Sequence, residues 1–135
     1  VEPDVIITFG PSGISNHPDH IAIHKAAVSA FEAYAYDISE SMTPILLYPT
    51  IPADIAGEYG LKLSGDEKKA DIVVDIKETI DIKIQGLKNY RSQEDAQEFA
   101  TRLLERSDPT EIFAVGPATT QGWESSEVIS YLRSL

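Results

Sequence analysis

The chain has 135 residues, 42% of them hydrophobic and 24% charged, which suits one globular domain with its own core and excludes a disordered chain. Its formal net charge of −11 opposes non-specific attraction to nucleic acid or anionic membrane, and the lack of cysteine excludes disulfides and thiolate metal sites. No apolar run approaches the ~20 residues that cross a bilayer, so neither a nucleic-acid nor a membrane partner is expected.

Val1-Glu-Pro-Asp has neither an initiator methionine nor a basic leader, and we expect the chain to begin inside a longer protein. Asp4–Phe9, with its apolar Val5-Ile-Ile run, reads as a strand buried on both faces and ending at Gly10-Pro11. The loop Pro11–Asn16 carries the turn formers Ser12 and Gly13. Asn16 is the expected N-cap, with Asp19 three positions on and Pro18 in the first turn. From His20 to Tyr34 the period is helical: His20, His24, Ala27, Phe31 and Ala35 share one stripe, and Lys25, Ser29 and Glu32 the opposite one. Abundant alanine and isoleucine elsewhere predict a helix buried over much of its girth.

Asp37–Met42 is a polar connector, and Pro44–Tyr48 a second strand closed by Pro49 and Pro52. Ala53–Lys69 has weak periodicity and reads as an irregular excursion. Asp71–Ile76 is a third strand. A helix opens at Thr79 or Asp81 and runs to about Gln93, with Arg91 set against its C-terminal dipole. Another helix covers Asp95–Arg106 and stops at Asp108-Pro109, a fourth strand covers Glu111–Gly116, and a closing helix covers Ser125–Leu135. This order predicts a single α/β layered domain with a mostly parallel sheet, whose sites form where loops leave the carboxyl ends of strands.

The loop Gly10–His20, reading GPSGISNHPDH, is such a place. His17 and His20, at i and i+3, project from neighbouring points of a helical first turn, with Asp19 between them. Both imidazoles could bind a metal, or one could do so while the other acts on substrate, with Asp19 holding a tautomer. A His20–His24 pair is a further arrangement, although His24 reads better as a core histidine with a hydrogen-bond partner. Ser12 lacks the GxSxG context of a nucleophile.

Asp4–Ile23, DVIITFGPSGISNHPDHIAI onward, resembles the second signature of the LmbE-like zinc de-N-acetylases, which include the N-acetylglucosaminyl-phosphatidylinositol de-N-acetylases. Downstream, Val74-Asp75-Ile76 followed by Lys83–Gln93 (KIQGLKNYRSQ) is similar to that family's later strand and K-x-x-A-L-x-x-H-x-S-Q helix. The resemblance implies a Rossmann-like three-layer fold, of which residues 1–135 would be the C-terminal part, with the N-terminal βα half absent. It implies Zn2+ as cofactor, with His20 as a metal ligand, His17 stabilising an oxyanion or protonating the leaving amine, and Asp19 supporting the site. Ser15, Asn16 and Arg91 are candidate substrate contacts.

The implied reaction is hydrolysis of the acetamide of an N-acetylated amino sugar or conjugate. The implied setting is cytoplasmic, with the N-terminal segment supplied by the same protein or a partner chain, and with homo-oligomers allowed. The family's A-H-P-D-D-E signature is absent; Ser15 stands where many members have tyrosine, Tyr90 where they have histidine, and Gly86 where they have alanine. An inactive homologue acting as a binding or assembly module is the alternative.

Overall fold

Apolar runs at four places form strands, and in the computed structural model, which describes residues 2–39, 43–107, 109–119 and 122–135, they make one sheet. The strands are β1 (Val5–Ile7), β2 (Ile45–Thr50), β3 (Ile72–Asp75) and β4 (Thr110–Val115), in the order β1-β2-β4-β3. The helices are α1 (Gly13–Asn16, one irregular turn), α2 (Pro18–Asp37), α3 (Ala53–Glu58), α4 (Ile80–Lys88), α5 (Glu94–Leu104) and α6 (Glu127–Ser134). Two compact units result: Val1–Val73 with Ile112–Ser134, and Val74–Glu111 with Leu135.

In the first unit, β1 runs parallel to β2, with Val5 opposite Ile45 and Ile7 opposite Leu47. β2 runs antiparallel to β4, with Leu47 opposite Val115 and Thr50 opposite Ile112. The sheet is therefore mixed, and the expectation of a mostly parallel sheet is corrected. The apolar stretch Ile45–Tyr48 is buried at every position because β2 is a central strand. That signature reads the same whichever way its neighbours run. The strand also continues through Pro49, which lies opposite Phe113, instead of stopping before it.

Phe31, Leu46, Tyr48 and Ala114 form the core of this unit, with Ile6, Val28, Ala35 and Ala118 packed against it. The stripe read from the sequence is the face α2 lays on the sheet, and burying Phe31 alone contributes roughly 1.5–3 kcal/mol. The rest of α2 is not buried as expected: Ile23 is 49% exposed and Tyr36 90% exposed. Small residues had suggested burial, but alanine is also the best helix former on an open face. Part of the expected connector, residues 40–42, lies outside the described residues, as do residues 108, 120 and 121.

Ala53–Lys69, expected to be irregular, holds α3 and a 3-10 turn at Asp66–Lys68. Thr50 Oγ1 donates to the Glu67 carbonyl, tying that turn to the end of β2.

In the second unit α4 and α5 enclose Ile84, Ala100 and Leu103, with Ile80 and Leu87 alongside. The Gln97 amide donates to the Leu87 carbonyl at 3.3 Å and the Tyr90 carbonyl at 3.0 Å, tying α5 to the end of α4 and the turn after it. Lys83 pairs with Glu111. No described helix is long and apolar enough to cross a membrane.

Candidate functional site

β1 ends at Ile7, and the chain turns through Gly10–His17 into α2. Three residues of this turn have positive φ: Gly13 (64°), Ile14 (61°) and Asn16 (60°). For a β-branched residue such as Ile14 that conformation is strained by roughly 1–3 kcal/mol, so the surroundings must hold it. Gly13 is required twice over, since a Cβ there would lie 2.7 Å from the His20 Cβ.

α2 is capped by His17, whose Nδ1 accepts from the Asp19 N–H at 3.1 Å. The expectation of an Asn16 cap is thereby corrected. Asn16, in the left-handed region, instead pairs in both directions with the backbone of Lys62, at 3.1 Å each way. An accepting Nδ1 means that the neutral His17 ring carries its proton on Nε2 and presents a donor there.

His20 has the opposite tautomer. Its Nδ1 lies 3.0 Å from the Gly13 carbonyl, a pure acceptor, so Nδ1 carries the proton and Nε2 keeps a lone pair. Ser15 Oγ lies 3.2 Å from the same nitrogen. Phe9 stacks on the ring at 4.0 Å between centroids and 6° between planes. The two histidine rings are 5.1 Å apart, so one turn presents a lone pair and an N–H donor side by side.

The Asp19 carboxylate is exposed and lies 3.8 Å from His17 Nδ1, and its backbone N–H does the capping. His24 donates from Nδ1 to the Phe9 carbonyl at 2.8 Å and sits edge-on to Tyr48, so it has the expected hydrogen-bond partner but is half-buried where a core position was expected. Burial raises the Tyr48 pKa, with help from the charges of Asp66, Glu67 and Glu32, so its phenol stays protonated.

Glu67 is 0% exposed beneath this turn. Its Oε2 accepts from the Ser12 N–H at 2.9 Å and the Ser64 N–H at 3.0 Å. Burial alone would raise its pKa, but the hydrogen bonds from Ser12 and Ser64 outweigh that and hold it below the ordinary carboxylate value.

Comparison with known proteins now bears on the site. No family model and no solved structure matches the chain. It is 23% identical over 149 residues to a 1D-myo-inositol 2-acetamido-2-deoxy-alpha-D-glucopyranoside deacetylase of Mycolicibacterium vanbaalenii, covering 93% of this chain and 52% of that protein. The counterpart of that name in Mycolicibacterium smegmatis is 25% identical over 158 residues, with the same coverage of 93% and 52%. A probable N-acetyl-alpha-D-glucosaminyl L-malate deacetylase 2 of Bacillus subtilis is 33% identical over 93 residues, covering 69% of this chain and 36% of that protein. The chain is a homologue of the LmbE-like de-N-acetylases. It spans at most about half the length of these relatives, 52% at its widest.

In this LmbE-like homologue the structure brings together Ser15, Asn16, His17, Asp19 and His20 on one turn. Arg91 belongs to the second unit, exposed in the turn between α4 and α5. It lies beyond the helix end, and Lys88 occupies the last turn of α4 in place of the expected Arg91. Tyr90 and Gly86 are exposed in the same region. Among the described residues no three His, Asp or Glu side chains converge as a metal site. The donor set offers the His20 lone pair, while the His17 Nδ1 lone pair is engaged in the cap. These residues therefore suit one ligand of a zinc ion and do not by themselves make the usual three.

Sequence reasoning missed Phe9 and Glu67. A signal for Glu67 was present: Ser64-x-x-Glu67 is a capping box, closed here by Glu67 N–H to Ser64 Oγ at 3.3 Å and the return bond from Ser64 N–H to Glu67 Oε2.

Proposed function

We propose that this chain is the C-terminal part of an LmbE-like de-N-acetylase domain that hydrolyses the acetamide of an N-acetylated amino sugar or conjugate. The observation that carries the reading is the adjacent pair of imidazoles in opposite tautomers. Its relatives' names, all of N-acetyl-sugar deacetylases, supply the substrate class. In this reading His20 contributes one nitrogen ligand to Zn2+, and the remaining ligands and the general base come from an A-H-P-D-D-E segment upstream. Zinc, when bound, supplies polarisation of the amide carbonyl and a water of lowered pKa.

The chain's own residues handle the charge that develops as water adds to the acyl carbon. His17 Nε2–H is the donor for the oxyanion; acting instead as the acid for the departing amine, as the C–N bond breaks to acetate and free amine, the ring would carry its second proton on Nδ1 in place of the bond from the Asp19 N–H. The Asp19 N–H fixes the ring for the first of these tasks. Ser15 and Asn16 line the approach, and Arg91 is a further candidate contact to substrate. A Rossmann-like sheet completed by a preceding βα half is consistent with β1, an edge strand of three residues whose Ile7 is 59% exposed. A cytoplasmic setting for such a reaction is part of the same reading.

The test is His20→Ala against His17→Ala in the protein with its upstream segment, read by bound zinc and by release of free amine from an N-acetylglucosamine conjugate. His20→Ala should lose stoichiometric zinc. His17→Ala should keep zinc and lose turnover by roughly 10²–10³-fold. Zinc retained after His20→Ala would move the ligand to His24. A protein that neither binds zinc nor releases amine would instead be a binding module on this scaffold.

A further inference from the structure

Nothing in the reading above uses Glu67, a buried carboxylate that contacts neither histidine in any hydrogen bond of the structure yet closes on the turn that carries them. Its Oε2 takes the Ser12 N–H, and a Cβ on Gly10 would fall 2.4 Å from its Oε1, so both ends of the Gly10–Ser12 segment rest on this one side chain. The Gly13 N–H donates back to the Gly10 carbonyl at 2.9 Å, and the Asn16 N–H to the Ser12 carbonyl at 3.1 Å. The Gly13 carbonyl then faces His20 Nδ1 at 3.0 Å. Glu67 thus stands two peptides away from the group that decides which nitrogen of His20 carries the proton. The turn it holds contains the strained Ile14, which would relax if released. Glu67 Oε1 and Ser12 Oγ are buried and make no hydrogen bond, so the carboxylate holds the turn through Oε2, which takes the Ser12 and Ser64 N–H groups.

We propose that Glu67 is a positioning residue for His20: by clamping Ser12 and Gly10 it keeps the Gly13 carbonyl on Nδ1 and so leaves the Nε2 lone pair free. Its importance for deacetylation rests on the metal-ligand reading of His20, but the positioning itself is a property of the metal-free protein. A free imidazole favours the Nε2–H tautomer, which cannot ligate through Nε2, so the clamp works against the ring's own preference.

The experiment is nitrogen NMR of the His20 ring in the metal-free protein at alkaline pH, where the ring is neutral and the shifts report the tautomer. Glu67→Asp and Glu67→Met withdraw the acceptor in two ways, and a folded sample of either suffices. The Nδ1–H to Nε2–H ratio should fall roughly fivefold, the scale of one ordinary hydrogen bond. Glu67→Gln, which keeps an acceptor for both N–H groups, should restore the ratio. Ser64→Ala removes only the hydroxyl that caps the Glu67 N–H; it should lower stability and leave the tautomer alone. An unchanged ratio in folded Glu67→Asp or Glu67→Met overturns the proposal, and so does an equal fall in Ser64→Ala. Failure of the deacetylase reading would appear separately, as absent zinc binding in the protein with its upstream segment and an intact tautomer response.

Discussion

At the scale of single residues, a buried carboxylate is tolerated only where its hydrogen bonds outweigh the loss of water, and Glu67 meets that condition through Ser12 and Ser64. The sign of the pH effect follows. Its folded pKa lies below the unfolded value, so its contribution is complete above the ordinary 4.5 and is lost as pH falls through the lower folded value. We expect the thermal midpoint to drop on acidification across that window, with a shallower drop in Glu67→Gln, measured by circular dichroism melting at a series of pH values. Equal slopes in the two proteins would show that other carboxylates govern the acid limb. Residues of this kind were the least legible. His17 and His20 announce themselves by type and spacing, whereas Glu67 lies 55 positions from the peptide it holds and shows in the sequence only through its local capping box with Ser64.

At the scale of elements, the start of α2 does two jobs with one side chain. His17 caps the helix through Nδ1 and presents Nε2–H to the site. Asparagine is a good N-cap without an imidazole. His17→Asn should therefore keep stability within a few tenths of a kcal/mol while losing the turnover assigned to the ring, whereas His17→Ala should also lose about 1 kcal/mol. Denaturant midpoints beside amine-release rates separate the two roles, and a stable, active His17→Asn protein would remove the ring from the chemistry. The four strands were legible as short apolar runs bounded by turn formers, and α2, α4 and α5 as longer segments between them with apolar residues at helical spacing. The Asn16 cap was misread because Asn has a high cap preference and histidine a low one, while Asn16 was required at positive φ to reach Lys62.

For the whole molecule, the charge of −11 is spread over a chain of modest size, and like charges oppose compaction. Raising sodium chloride from low to physiological strength should raise the melting temperature, since the Debye length falls to about 8 Å and exposed carboxylates no longer see one another. A melting temperature that falls with salt would mean that attractive pairs such as Lys83–Glu111 dominate. Strand direction was illegible at this scale, because burial marks β2 as central without saying how β4 approaches it. The proline in β2 carries one more consequence. The Ile45 N–H donates to the Asp4 carbonyl and the Thr8 N–H to the Leu47 carbonyl, so the next rung of that parallel ladder would need an N–H from residue 49 to Thr8. Pro49 has none. The zipper between the two strands stops there for want of a single hydrogen, and the polypeptide peels off the sheet at the height where its imidazoles are delivered.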